Sequence, residues 1–167
     1  FFFFILCCDP SLTAFGFSVI EDDNLIECGV IRTEKEASTS VSLSDTHRLA
    51  IILSKLKSVI KDNDVQFAIF EDPAGSKSAS AIKALSLVKG ALIGLLYTLD
   101  IPFISGNSKT IKKSVVGFVT NDKEIVYNSV IEKLPELEEC LKELPKYAKF
   151  AISDSISVYL WYKANNV

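Results

Sequence analysis

The sequence predicts an α/β fold: a mixed five-stranded sheet, made of an antiparallel meander plus β-α units and flanked by helices. Three observations carry this. Short apolar runs separated by tight-turn signals fill the chain up to Arg32. Beyond it, helically spaced apolar stretches alternate with runs of strand length. The composition, 49% hydrophobic and 23% charged with only 7 Gly and 5 Pro in 167 residues, is that of one globular domain spanning 1–167.

The elements follow in order. Phe3 to Cys8 is an apolar run stopped by Asp9-Pro10, which reads as a buried strand. Ala14 to Ile20 is the second strand. Asp22 to Asn24 makes a turn into Leu25 to Arg32, completing the meander. Glu34 to Ser42 is polar and reads as a loop. Ser44 or Asp45 is placed to cap a helix carrying Leu49, Ile52, Leu53, Leu56, Val59 and Ile60 at helical spacing. Val65 to Phe70 is the fourth strand, ending at Glu71-Asp72. Pro73 to Ser78 is a loop, and Ala79 to Leu99 a long apolar helix with small residues Ala84, Gly90, Ala91 and Gly94. Pro102 to Ser105 is the fifth strand. Ser108 to Val116 and Lys123 to Leu134 read as helices broken at Gly117, Glu136 to Glu143 as a solvated acidic stretch, and Phe150 to Ala164 as the last helix. No repeat or linker interrupts this order.

Charge and cysteines narrow the function classes. A net charge of −3 argues against a general nucleic-acid coat protein but leaves room for a local basic patch. Cys7, Cys8, Cys28 and Cys140 form no CxxC pair, and His47 is the only histidine, so a zinc site is not expected. The thiols read as reduced and mostly buried, in a cytosol-like compartment. No run is read as reaching the roughly 20 apolar residues of a membrane span. Phe1 to Leu6 lacks the basic flank of a signal peptide. The chain contains no Met, so its amino terminus is expected to be trimmed or altered.

Three acids stand at informative places: Asp9 at the end of the first strand, Glu71 at the end of the fourth, and Asp154 amid Phe150, Ile152, Ile156 and Val158. Each has an ordinary reading alone. Asp9 can bond a turn backbone, Glu71 can be a surface charge, and Asp154 can stabilise a helix N-terminus. Together they suggest more. If the first and fourth strands are neighbours, Asp9 and Glu71 lie side by side and repel. Mg²⁺, which prefers hard oxygen ligands, offsets such repulsion. Two such ions about 4 Å apart serve phosphodiester cleavage.

Taken in order, these segments resemble the RuvC family of junction resolvases over nearly the whole chain. Ile5 to Ile20 looks like the family's opening strand, Asp-Pro-Gly turn and second strand, with Ser11 in place of the Gly. Cys28 to Thr33 is similar to its third strand, and Arg48 to Ile60 occupies the place of its first helix. Phe67 to Glu71 resembles the strand with the second acid. Ile111 to Gly117, followed by Lys123, matches its basic segment. Asp154 to Leu160 resembles the helix with the last acid, in a form that also looks like poxvirus-type and phage relatives.

The resemblance implies an RNase H-like fold and a homodimer that binds four-way (Holliday) DNA junctions and nicks two opposing strands with Mg²⁺ or Mn²⁺. By position, Asp9, Glu71 and Asp154 are the implied metal ligands and catalytic acids, with Lys112 and Lys123 beside the scissile phosphate. Lys77, Lys83, Lys109 and Lys113 are expected to line the DNA path with them, and the small-residue helix to lie in the dimer interface. The implied setting is the cytoplasm of a bacterium or of a phage- or virus-infected cell, or a DNA-containing organelle, with no membrane partner.

Two departures stand out. The family carries a further acid three residues before the last one, where this chain has Ala151. Residues so spaced share a helix face and can serve one metal site. An abrupt Ala in a well-matched motif reads as a disabling substitution. A natural variant with a weakened metal site is the competing explanation. Ala74 stands where bacterial relatives place an aromatic near the junction centre.

Three other functions compete: another nuclease of this fold, acting on branched DNA or RNA–DNA hybrid; a non-catalytic junction-binding protein; and half of an actin-like kinase. The basic segment argues against a ribonuclease H. The lack of a second glycine-rich phosphate loop argues against the kinase.

Overall fold

The computed structural model describes residues 3–37, 39–72 and 78–166. The Pro73–Lys77 part of the expected loop, with Ala74 and Lys77, lies outside them. Strand β1 (Phe4–Asp9) pairs antiparallel with β2 (Ala14–Glu21), and β2 with β3 (Asn24–Arg32). The β2–β3 hairpin turns on Asp22 and Asp23, both at positive φ (45° and 71°). That geometry matches the strand twist, and Asp tolerates it better than most residues. Helix α1 (Val41–Asp62) crosses to β4 (Phe67–Asp72), and α2 (Ala79–Thr98) to β5 (Phe103–Asn107). Both strands pair parallel, so the five-stranded order is β3-β2-β1-β4-β5. Helices α3 (Ser108–Val116), α4 (Lys123–Lys133), α5 (Leu137–Leu141) and α6 (Lys146–Asn166) complete the chain. The mixed sheet is the one expected.

Side-chain alternation sorts the core into two layers. Leu6 and Cys8 of β1, with Phe15, Phe17, Ala68 and Phe70, face α1 and α2. Ile5 and Cys7, with Ile20 and Ile69, face the other way, against Val158 and Tyr159 of α6 and Ile111 of α3. A third cluster joins α3, α4 and α5 to α6 through Val115, Val130, Leu137, Leu141, Ile152 and Ile156.

Four expectations are corrected. Helix α1 is capped by Ser40, whose Oγ accepts from Leu43 N at 3.3 Å, not by Ser44 or Asp45. Its first turn exposes Val41 and Leu43, so the apolar stripe does not mark it. The Glu136–Glu143 stretch contains α5, which buries Leu137 and Leu141 between its acids. Helix α6 starts not near Phe150 but at Lys146, directly after Pro145, and its mostly polar first turn carries no apolar stripe to mark it. Finally, α2 is long and apolar enough to cross a membrane by length and composition. It buries only the stripe Val88, Leu92 and Leu96, and Lys83 and Lys89 interrupt the apolar run on its other sides. Of the cysteines, Cys7 and Cys8 are buried, Cys28 is half-buried and Cys140 exposed, and all four are free thiols.

Candidate active site

The sheet order makes β1 and β4 neighbours, and their last registered pair is Cys8 with Phe70. Asp9 and Glu71 follow directly on the two strands. By alternation they share the side of Cys7 and Ile69, which is the α6 side. Helix α6 reaches that end of the sheet because Gly16, the register partner of Asp9, has no side chain. A Cβ there would sit 2.1 Å from the Ala151 carbonyl oxygen. One turn on, Ser155 Oγ, which donates to the Ile152 carbonyl at 2.7 Å, accepts from Ser18 Oγ at 3.1 Å, and both serines are fully buried. These close contacts lower Asp154, in the third turn of α6 and 4% exposed, onto the Asp9 end of the sheet. So placed, Asp154 is no helix N-terminal charge, and Glu71, 8% exposed, is no surface charge.

Two lysines answer the acids. Lys123 is the first residue of α4, fixed by the Asp122 cap, whose Oδ1 accepts from Glu124 N at 2.9 Å. Its Nζ donates to Asp154 Oδ2 at 2.6 Å. Lys112 of α3 is half-buried and lends positive charge to both Asp9 and Glu71. Burial still dominates at Asp9. With repulsion from Asp154 and Glu71, it pushes that carboxyl well above the usual range, against the pull of Lys123 and Lys112. Burial also raises Glu71, opposed by the Ser108 hydroxyl bond and by Lys112. At Lys123 burial disfavours the charge, but Asp154, Asp9 and Glu71 outweigh it and raise its pKa.

An open cleft of about 370 Å³ leads to this cluster, lined by Asp9, Pro10, Ser11, Lys123 and Ala151. Ala151 therefore borders the same space as Asp9, one helical turn from Asp154. Among the described residues, no three Asp, Glu, His or Cys side chains converge closely enough, as placed, to hold an ion together. The donor set nevertheless fits a hard cation: three carboxylates gathered where burial and mutual repulsion call for positive charge. Lys123 supplies that charge at Asp154.

The five expected catalytic residues are thus brought to one end of the sheet. Lys83, Lys109 and Lys113 are exposed on α2 and α3. Sequence reading passed over Arg48. Its guanidinium, on a residue 4% exposed, donates to Thr33 Oγ1 (2.9 Å), Thr13 Oγ1 (2.8 Å), the Leu12 carbonyl (3.2 Å) and Asp45 (3.3 Å). It pins the turn that leads out of Asp9. An arginine next to Leu49 on the buried stripe of α1 was the available signal.

The family model described as "Crossover junction endodeoxyribonuclease RuvC" matches residues 5–159. A protein of that name from Rickettsia africae is 31% identical over 127 residues, covering 72% of this chain and 75% of the relative. Its counterpart from Acinetobacter baumannii is 28% identical over 134 residues, covering 78% and 70%. The structure of T. thermophilus RuvC in complex with Holliday junction substrate superposes with a TM-score of 0.74 at 17% identity, covering 96% of this chain and 93% of that one. The shared fold and the family match over most of the chain give one conclusion: this protein belongs to the RuvC family.

Proposed function

We propose that the chain is a four-way-junction endodeoxyribonuclease whose site, with its missing acid restored, nicks opposing strands symmetrically with Mg²⁺ or Mn²⁺. The carrying observation is the convergence of Asp9, Glu71 and Asp154 with Lys112 and Lys123 beside an open cleft. Relatives named crossover junction endodeoxyribonucleases, and a related structure holding a Holliday junction, supply the substrate class. Asp9, Glu71 and Asp154 would hold the metal, which when bound supplies an activated water and neutralises the leaving oxygen. Lys112 and Lys123 hold the phosphate against the acids, and Lys109, Lys113, Lys83 and Lys77 line the DNA path.

A second copy of the chain is the proposed partner across α2. Among the described residues, and apart from the adjoining backbone of α2 itself, no atom stands within 4 Å of a Cβ built at Gly90 or Gly94, so these small residues face away from the sheet. Ile82 is exposed on the same helix, at 47%. An apolar face of this kind needs a cover. Two copies would present two cutting sites, as paired nicks require. The proposed setting is the compartment that holds the DNA, in the first instance a bacterial or virus-infected cytoplasm.

Ala151 decides whether the chain as it stands cuts. One acid fewer leaves the Lys123–Asp154 pair uncontested and weakens a metal position. The test compares this chain with Ala151→Asp on a labelled four-way junction, with and without Mg²⁺ or Mn²⁺. Paired symmetric nicks by the Asp version alone, at least about 100-fold above the parent, are the expected result. If neither version cuts but both bind the junction over duplex, the protein is a junction-binding module, a reading that Ala151 itself favours.

A further inference from the structure

A second cleft, of about 250 Å³, opens on the other side of the turn that carries Asp9. Leu12 and Thr13 of that turn line it, with Lys35 from the loop after β3 and Lys83 from the first turns of α2. Both clefts border this turn and neighbouring residues of α2: Leu85 lines the first, Lys83 and Ala84 the second. Its charges are unevenly committed. Arg48 and Asp45 form its floor and pair with each other at 3.3 Å. Nearby Arg32 pairs with Glu34, and His47 with Glu36. Lys35 and Lys83 make no ion pair with any described residue and are exposed. The Thr13 hydroxyl accepts from Arg48 Nη2, so its own proton points away from the guanidinium.

We infer that this cleft holds a backbone phosphate of the DNA strand that runs out of the acid cleft, gripped by Lys35 and Lys83. Lys35 is the new member; nothing in the sequence marks it. Two unpaired ammonium groups facing one recess are matched by one phosphate, which carries no sequence information but fixes the strand's path. Arg48 supports the recess from beneath by holding the turn, and Asp45, already paired with it, does not compete for the lysines.

The inference rests on the junction-binding reading, and its test separates the two. Affinity for a labelled four-way junction is measured over a salt series with the full chain, the Lys35→Gln/Lys83→Gln double variant, and Lys57→Gln on the exposed side of α1 as control. The slope of log affinity against log salt should become shallower by about 0.9 in the double variant, as expected when one phosphate fewer is neutralised. The control should keep the parent slope. Equal melting temperatures verify that the fold is intact, as expected for exposed side chains. A parent chain that binds the junction, with an unmoved slope in the double variant, overturns the inference alone. An equal change in Lys57→Gln overturns it too, since the effect is then overall charge. If the unmodified chain binds no DNA, both readings fall.

Discussion

Helix α6 meets buried or bonded carboxylates at both ends of the sheet, and the two sites are built on opposite principles. At the far end, Asp23 in the β2–β3 turn accepts from Lys163 Nζ through both oxygens at 2.6 Å and from the Tyr159 hydroxyl at 2.7 Å. Those bonds, Lys163 first, hold its carboxyl below the usual range. At the near end, Asp9 sits with Glu71 and Asp154, and burial with mutual repulsion holds it above. Three acids there meet two lysines, Lys112 and Lys123. One site is satisfied and ties a hairpin to a helix. The other is left short of positive charge, which raises the energy of the folded chain unless a cation arrives. Stability alone does not select the second arrangement.

The largest expected effect comes from neutralising the unsatisfied end. Asp9→Asn in the Ala151→Asp chain should abolish measurable Mn²⁺ binding and cut junction nicking by at least about 100-fold. The same change should raise the melting temperature near neutral pH, by roughly 2–4 °C per kcal/mol of repulsion removed. The sign follows from the raised carboxyl. The stability it contributes is fully present below its unfolded value of about 3.9 and is lost as pH rises through the higher folded value. The advantage of the Asn variant should therefore vanish below about pH 4 and grow as pH rises toward the raised folded value. A variant that loses both nicking and stability at neutral pH would show that Asp9 belongs to the satisfied class.

The two ends were unequally legible in the sequence. Asp9 and Glu71 each terminate a strand-length apolar run, so their place at strand ends followed from the pattern, and the sheet order made them neighbours. Asp154 was recognisable as an acid in apolar company, but its depth in α6 was not. Ala151 to Tyr159 are all buried, so no polar face marks the helix phase, and the polar first turn from Lys146 hid its start. The Asp23 clamp joins residues 136 and 140 positions apart and left no local trace. Arg48 escaped for a related reason. A buried guanidinium makes sense only once Leu12, Thr13 and Thr33 are seen around it, and those contacts come from a different part of the chain.

The next effect tests how α6 is held at the near end. Gly16→Ala would drive a methyl group into the Ala151 carbonyl, a backbone atom with little freedom to move. Overpacking of this kind costs about 1–3 kcal/mol, read by urea unfolding. The helix should lift, carrying Asp154 away from Asp9, so Mn²⁺ affinity in the Ala151→Asp chain should fall together with stability. If stability falls and Mn²⁺ affinity does not, the near end tolerates a displaced Asp154, and the metal is held by the strand acids alone.

The smallest effect belongs to the satisfied end. Tyr159→Phe removes one donor to Asp23 and leaves Lys163 in place, at a cost of about 1 kcal/mol. Because the Asp23 carboxyl is held low, the stability it contributes is present above its unfolded value of about 3.9. That stability is lost as pH falls through the lower folded value. The Phe variant should therefore differ from the parent at neutral pH and converge on it in acid. The Asn variant at Asp9 also converges on its parent in acid, but from above, because there the carboxylate opposes the fold. Mn²⁺ affinity and nicking should not change in Tyr159→Phe. A change in either would mean that strain at one end of α6 reaches the other. The helix would then couple the Asp23 clamp to the carboxylate cluster instead of merely touching both.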